Sequence, residues 1–116
     1  MKSGIPFEQG EIVLVPFPFS DLKSVKQRPV LILSNNSYNK RVEDIVTCGI
    51  TSNFKDANCS VLIDNSDLLK GKLIVKSRIK VDKIFTLKQT LVKKRIARVN
   101  KKVFNQVRKE ILKLIT

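Results

Sequence analysis

The first two thirds of the chain alternate between short aliphatic and β-branched stretches and polar breaks at Pro, Gly, Asn or Asp. Such stretches predict β-strands, and the breaks between them predict turns. The strands predicted in this way run from Glu11 to Val15, Pro29 to Ser34, Asp44 to Ile50, Ser60 to Ile63 and Lys72 to Asp82. Several short strands joined by irregular loops favour a small, strongly curved sheet or barrel.

The last part of the chain has a helical period instead. Between Lys101 and Thr116, apolar residues recur at spacings of three and four, which predicts an amphipathic helix that packs on the sheet. Asn100 is well placed to cap its first turn. Lysine and arginine residues cover the other face of this helix, and we interpret that face as a solvated surface.

A long loop is predicted between the first two strands, from Pro16 to Gln27. Its prolines argue against a central strand because proline cannot donate to a β-ladder. Phe17 and Phe19 have two interpretations: they anchor the loop to the core, or they present rings on which bases stack. Long loops in small domains are often functional.

The length and charge of the chain limit the number of domains and the kinds of partner. With 116 residues and 42% hydrophobic content, we expect one domain over residues 1–116. No apolar run approaches the roughly 20 residues of a membrane-spanning helix, so a cytoplasmic protein is expected. The formal net charge of +13 attracts polyanions: RNA or DNA first, a membrane surface last, with an acidic protein left open.

The residue types available restrict the chemistry. The chain has no histidine, and its two cysteines, Cys48 and Cys59, form no CxxC pair, so we expect free thiols and no zinc site. Its acidic residues do not cluster as a two-metal nuclease requires, and Asp64 and Asp67 resemble turn residues. We therefore expect no metal and no other cofactor.

Polar residues at the ends of predicted strands are the remaining candidates. Arg28 precedes Pro29, Thr51 and Ser52 follow Ile50, and Lys80 and Asp82 share a strand. Proline restricts the residue before it to extended backbone, which fixes the direction of the Arg28 side chain. A guanidinium offers a planar fork of donors that suits a phosphate.

Four blocks along the chain carry a family resemblance. They are Gly10-Glu11-Ile12-Val13-Leu14-Val15-Pro16-Phe17, Lys26-Gln27-Arg28-Pro29-Val30-Leu31-Ile32-Leu33-Ser34, Gly49-Ile50-Thr51-Ser52 and Val81-Asp82-Lys83-Ile84-Phe85-Thr86-Leu87. In this order and spacing they resemble the MazF/PemK family of toxin endoribonucleases. The resemblance implies a mainly β (α+β) fold, a small curved SH3-like barrel of the MazF/PemK/CcdB kind with a C-terminal helix, usually as a homodimer.

The resemblance also implies a function. It predicts the toxin of a type II toxin–antitoxin system, which cleaves single-stranded messenger RNA without metal and binds an acidic antitoxin. Arg28, Thr51 and Asp82 match catalytic positions, although Lys80 stands where the family often has arginine. The residues expected to contact RNA are Lys26, Gln27, Ser52, Lys80 and Phe17.

A mechanism is hypothesised in which the ribose 2′-hydroxyl attacks the adjacent phosphorus, leaving 2′,3′-cyclic phosphate and 5′-hydroxyl ends. Arg28 would stabilise charge on the phosphoryl oxygens, because arginine holds its protons too tightly to be a good acid. Thr51 would donate a further hydrogen bond. Asp82 or Glu11 would be the base, unless Glu11 is a solvated strand residue and Asp82 pairs with Lys80 or Lys83.

Two alternatives stay open. The same fold could be a nucleic-acid-binding module without nuclease activity, which shifts RNA in a gel and leaves it uncut. It could also be a toxin of related fold that inhibits DNA gyrase, which leaves RNA intact and blocks supercoiling.

Overall fold

The structure is a computed structural model, and it describes residues 6–18, 25–53, 55 and 57–116. Within these residues, seven antiparallel strands form a curled half-barrel in the order β4-β6-β3-β2-β1-β7-β5. The strands are β1 (Glu11–Pro18), β2 (Val25–Ile32), β3 (Asp44–Thr51), β4 (Ser60–Ile63), β5 (Leu68–Gly71), β6 (Ser77–Lys88) and β7 (Lys94–Val99). The helices are α1 (Asn36–Arg41) and α2 (Lys101–Ile115), with single 3₁₀ turns at Asn65–Asp67 and Gln89–Leu91.

The main hydrophobic core lies between the sheet and α2. Val103 and Val107 on the helix are buried against a strand face that includes Ile12, Leu31 and Ile79. α2 rests mainly on β4 and β6. No helix in the described part of the chain is long and apolar enough to cross a membrane.

A second, smaller apolar cluster lies on the other face of the sheet. It consists of Val13, Val15, Val30, Ile32 and Ile45, all of them almost completely buried. Because successive strand residues point to opposite faces, alternate positions of β1 and β2 fill the two clusters. Near-continuous apolar runs on these strands follow from this burial on both faces.

Several sequence-based predictions are confirmed. β4 has the predicted bounds, β3 extends one residue beyond them, and α2 begins after the predicted cap, where Asn100 Oδ1 accepts a 2.9 Å hydrogen bond from Val103 N–H. Asp64 caps the first 3₁₀ turn by accepting from the Ser66 N–H at 2.9 Å. Both cysteines are free thiols.

The predicted loop from Pro16 to Gln27 is wrong at both of its ends. β1 continues to Pro18, β2 begins at Val25, and Pro16 pairs with Gln27. Proline is tolerated here because the pairing of β1 with β7 stops at Leu14. Beyond Leu14, the side of β1 that faces away from β2 makes no cross-strand hydrogen bonds, so a missing N–H on that side costs none. Residues 19–24 of this loop, including Phe19, lie outside the described residues.

The predicted strand from Lys72 to Asp82 is also wrong in its first part. β5 and β6 lie near opposite edges of the sheet, so residues 72–76 must cross between them, and β6 begins only at Ser77. Gly71 allows this path: it has φ +77°, and a Cβ there would lie 2.1 Å from the Ile96 carbonyl oxygen. Gly71 thus sets where the crossing loop starts.

The sequence pattern does not predict α1 or β7. α1 carries a recognisable signal, because Asn35 caps it by accepting a 2.8 Å hydrogen bond from Tyr38 N–H. β7 follows Lys93 and carries Lys94, Arg95 and Arg98, which conceal its strand pattern. Lys80 and Asp82 lie on β6, which is an inner strand of the sheet between β3 and β4.

Ion pairs join the start of β1 to β7. The Glu11 carboxylate accepts hydrogen bonds of 2.6 and 2.8 Å from Arg95 Nη1, and Glu8 pairs with Arg98. The Arg95 guanidinium also stacks 4.2 Å above the centre of the Phe7 ring. The hydrogen bond and charge of Arg98 hold the pKa of Glu8 below its ordinary value of 4.5.

We predict that replacing the helix cap destabilises the fold. Asn100→Ala removes the acceptor for the Val103 N–H and should lower the free energy of unfolding by about 1 kcal/mol. Asn105→Ala, an exposed asparagine in the same helix, is the matched control. Urea unfolding of both variants checks this, and equal stability of the two would contradict the capping role.

We also predict an acid-side loss of stability that depends on Glu8. Because the folded-state pKa of Glu8 is lowered, its contribution is complete above about pH 4.5 and disappears as the pH falls through the folded value. Glu8→Gln should therefore flatten the dependence of unfolding free energy on pH below that point. Glu43→Gln, which removes an exposed carboxylate 3.9 Å from Lys88, should keep the wild-type slope. Identical slopes for wild type and Glu8→Gln would refute the prediction.

Candidate active site

The centre of the sheet places a row of polar side chains opposite the main core. Ile50 on β3 pairs with Ile79 on β6, and both are buried in the core beneath α2. The next pair along these strands is Thr51 and Arg78, so both of these side chains point to the other face.

Arg28 lies on that face as well. β2 pairs with β3 from Ile32 and Thr47 to Val30 and Gly49, and continuing this register by two residues places Arg28 opposite Thr51. On its other side Arg28 pairs with Val15 of β1. Its side chain is exposed, whereas Val15 and Val30 beside it are buried. Arg28 therefore stands where the second apolar cluster meets solvent.

We call this set of neighbours the Thr51 row. It contains one residue from each of five adjacent strands: Val15, Arg28, Thr51, Arg78 and Leu62. These residues are cross-strand pairs except for Arg28 and Thr51, which the continued register of β2 and β3 places opposite each other. Neighbouring strands are about 4.8 Å apart, so the row spans about 19 Å. Two arginines flank one hydroxyl at its centre.

The Thr51 hydroxyl has a fixed orientation. Its oxygen accepts a 3.1 Å hydrogen bond from the Asn53 N–H just beyond the end of β3. A hydroxyl that accepts one bond can still donate its own hydrogen, so Thr51 can act as a donor towards a ligand. Ser52, the next residue, is exposed.

An apolar cleft adjoins Arg28. Its floor is formed by side chains of β1, β2, β3 and β7, namely Leu14, Pro29, Ile50 and Ile96. The crossing loop supplies one wall through Leu73, Ile74 and Val75, and Arg28, Ser52 and Lys72 add polar groups. Ile50 belongs to the main core, so this cleft opens on the core face of the sheet, opposite the face of Thr51 and Arg78.

Asp82 does not join this row. A break in register between Cys48 and Gly49 leaves Val81, Asp82 and Lys83 of β6 without cross-strand partners on β3. Asp82 is four residues along β6 from Arg78, a separation on the order of 10 Å. Asp82 instead lies close enough to Cys48 to add to the effect of burial, which raises the pKa of that thiol to about 12. Cys48 is consequently no nucleophile.

Lys80 is held inside the protein, 4% exposed. Its ammonium group donates a short hydrogen bond to the Asn58 carbonyl and lies 3.6 Å from the Asp82 carboxylate. The predicted alternative in which Asp82 pairs with Lys80 is therefore the one observed. This geometry favours a role for Lys80 in fixing the turn before β4 over direct contact with a ligand.

The other residues expected to contact RNA lie at the end of the sheet beyond Arg28. Lys26 is exposed and, two positions from Arg28, faces the same side. Gln27 is exposed and faces the opposite side. Phe17 pairs with Lys26 along the backbone, and its side chain lies outside the described part of the structure.

Glu11 is not placed to act at the site. It is 9% exposed and its carboxylate is occupied by Arg95 on β7, so neither the predicted base nor the predicted solvated residue describes it. Across the described residues, no group of three or more Cys, Asp and Glu side chains could hold a metal ion.

The sequence pattern alone does not point to Arg78. It lies between Ser77 and Ile79 in a stretch whose pattern predicts a strand and nothing more. Its place in the candidate site depends on the register that pairs it with Thr51. The alternation of Arg78 and Lys80 with Ile79 and Val81 does signal that both cations share one face.

Comparisons with known proteins agree with this fold. The model of the PemK-like, MazF-like toxins of type II toxin–antitoxin systems matches residues 8–115. One similar structure is a MazE–MazF complex from Deinococcus radiodurans, with 20% identity, 97% of each chain covered and a TM-score of 0.77. Another is an endoribonuclease in complex with its cognate antitoxin from a Mycobacterial species, with 20% identity, 95% and 93% coverage and a TM-score of 0.72.

A third is the Mycobacterium tuberculosis toxin MazF-mt6, at 16% identity over 89% of this chain and 95% of that one, with a TM-score of 0.67. No curated protein matches the sequence. A curled antiparallel half-barrel with a C-terminal helix defines the class of MazF-like folds. The chain belongs to the PemK-like, MazF-like toxin family of type II toxin–antitoxin systems.

Proposed function

We propose that this toxin is an endoribonuclease that cleaves single-stranded messenger RNA at the Thr51 row. The observation that carries the proposal is the register of β2 and β3, which, continued by two residues beyond its last pair, places Arg28 and Thr51 opposite each other on one face of the sheet. RNA cleavage at the level of the family supports it. The charge of +13 favours the approach of a polyanion.

The proposed reaction uses the RNA as its own nucleophile. The 2′-oxygen forms a bond to the adjacent phosphorus, the bond from phosphorus to the 5′-oxygen breaks, and the products carry a 2′,3′-cyclic phosphate and a 5′-hydroxyl. The 2′-hydroxyl loses a proton and the leaving 5′-oxygen gains one. The protein must align the two oxygens and stabilise the added negative charge on the phosphoryl group.

Arg28 and Thr51 have suitable chemistry for those tasks. The Arg28 guanidinium is directed by the extended backbone before Pro29 and can bind two phosphoryl oxygens at once. The Thr51 hydroxyl, oriented by the Asn53 N–H, donates to the same group from the neighbouring strand. Both groups stabilise charge without exchanging a proton.

Proton transfer has no protein base in this proposal. Asp82 is on the order of 10 Å along β6 from the partner of Thr51, and Glu11 is bound to Arg95. We assign Asp82 the task of holding Lys80. Water takes the 2′-proton and supplies the proton that the leaving 5′-oxygen gains. Positioning and charge stabilisation then supply the rate enhancement.

One further cation lies on the face of the Thr51 row. Lys26, beyond Arg28 on the same face, would bind the backbone as the strand leaves.

Protein partners complete the proposal. In similar structures a MazF is bound to a MazE or an endoribonuclease to its cognate antitoxin, and we infer an acidic antitoxin for this chain. Assembly as a homodimer is supported by apolar side chains exposed in the last turn of α2, namely Leu112, Leu114 and Ile115.

One observation favours a second candidate, RNA binding without cleavage. The row contains cations and a hydroxyl, but the predicted acid, Asp82, lies away from it. A labelled single-stranded RNA separates the two functions in a gel, because a binding module shifts it and leaves it intact.

We predict that Arg28→Ala lowers kcat for RNA cleavage by about 10²-fold or more, since it removes the main group that stabilises the transition state. Thr51→Val should lower kcat by a smaller factor, because it removes one donor and keeps the shape. Arg108→Ala, on the exposed face of α2, is the charge-matched control and should keep wild-type turnover. Circular dichroism checks that each variant is folded. Normal turnover by folded Arg28→Ala would refute the site.

A further inference from the structure

Arg78 is the cation of β6 that the register brings to the Thr51 row. It pairs with Thr51 on one side and with Leu62 of β4 on the other. Lys80, two residues further along the same strand, is buried and held by Asn58 and Asp82. Arg78 is only partly buried, so on this strand it has more contact with solvent than Lys80.

The guanidinium of Arg78 is positioned by a chain of hydrogen bonds. Its Nη1 donates to Ser60 Oγ at 3.1 Å, and that hydroxyl in turn donates to the Ala57 carbonyl at 2.7 Å. Ser60 thereby ties Arg78 to the turn before β4. An arginine whose rotamer is already fixed loses less conformational entropy when it binds a ligand.

The arrangement matches the path of an extended polyanion. Arg28 and Arg78 lie on the strands either side of β3, with their Cα atoms about 10 Å apart across the sheet. The Thr51 hydroxyl lies between them, and the Ser60 contact draws the Arg78 head towards β4. A single-stranded RNA crossing the strands would therefore meet Arg28, Thr51 and Arg78 in turn.

We propose that Arg78 binds a backbone phosphate that flanks the scissile one, and so fixes the direction in which the RNA crosses the sheet. The inference rests on the proposed RNA function of the Thr51 row. Arg78 contributes to substrate binding, whereas Arg28 acts on the reacting phosphate. Loss of Arg78 should consequently raise KM and leave kcat nearly unchanged.

The test measures binding separately from cleavage. A labelled single-stranded RNA with 2′-fluoro sugars has no 2′-nucleophile, and its affinity is measured by fluorescence anisotropy from about 50 to 200 mM salt. Arg78→Gln should weaken binding about tenfold, as the loss of one charged hydrogen bond predicts. It should also reduce the slope of log K against log salt by about 0.7, the contribution of one phosphate in a single strand.

Two further variants control for structure and for general charge. Arg78→Lys keeps the charge and should keep the wild-type salt slope. If the role of Arg78 were purely structural, the Lys and Gln variants should have the same salt slope. Arg108→Ala removes one positive charge from α2, on the other side of the sheet, and should change neither affinity nor slope. A wild-type slope in Arg78→Gln, or equal slopes in the Gln and Lys variants, would overturn the inference.

Cleavage of unmodified RNA, measured in parallel, separates this inference from the proposed nuclease. If the wild-type protein leaves RNA intact while Arg78→Gln still lowers the salt slope, the nuclease proposal fails and the phosphate contact stands. If the wild-type protein cuts RNA and Arg78→Gln has a wild-type KM and slope, only the assignment of Arg78 fails.

Discussion

β3 and β6 pair with a period of two from Gly49 and Lys80 to Thr51 and Arg78, so neighbouring residues there face opposite sides of the sheet. Ile50 and Ile79 are buried beneath α2, and this pair commits Thr51 and Arg78 to the other face. The pairing of β2 with β3, continued two residues beyond Val30 and Gly49, brings Arg28 into line from β2. A slip of one residue would expose the isoleucines and bury the arginine, so hydrophobic burial itself enforces the register of the site.

Charge is distributed unequally between the two sides of the sheet. Lysines and arginines of α2 form a solvated surface over the main core, whereas Arg28, Lys26 and Arg78 share the opposite face. Part of the positive charge is also engaged internally, since Arg95 and Arg98 pair with Glu11 and Glu8. The net charge attracts a polyanion, and the few cations that share one face define where the polyanion can bind along the sheet.

The elements that depend on local pattern could be predicted from the sequence. Asn100 and the apolar period after it define α2, and the aliphatic runs define β3 and β4. Pro16 and Pro18 concealed the end of β1, because their tolerance depends on where β7 stops. The crossing at residues 72–76 depends on β5 and β6 lying near opposite edges, which no local pattern shows.

Some residues of the candidate site could likewise be predicted from the local sequence pattern, and others could not. Thr51 adjoins the strand end that the pattern locates, whereas Arg28 lies within β2, and the continued register of β2 and β3 places the two residues opposite each other. The irregular pairing of β6 after Lys80 separates Asp82 from Arg28 and Thr51, and the register of β3 and β6 places Arg78 beside Thr51. Neither position could be predicted without knowing which strands are neighbours. The most direct test is to map the ends of a long RNA cut by the wild-type protein in excess EDTA. The account predicts discrete cuts with 2′,3′-cyclic phosphate and 5′-hydroxyl ends; a requirement for magnesium, or products with 3′-hydroxyl and 5′-phosphate ends, would contradict it.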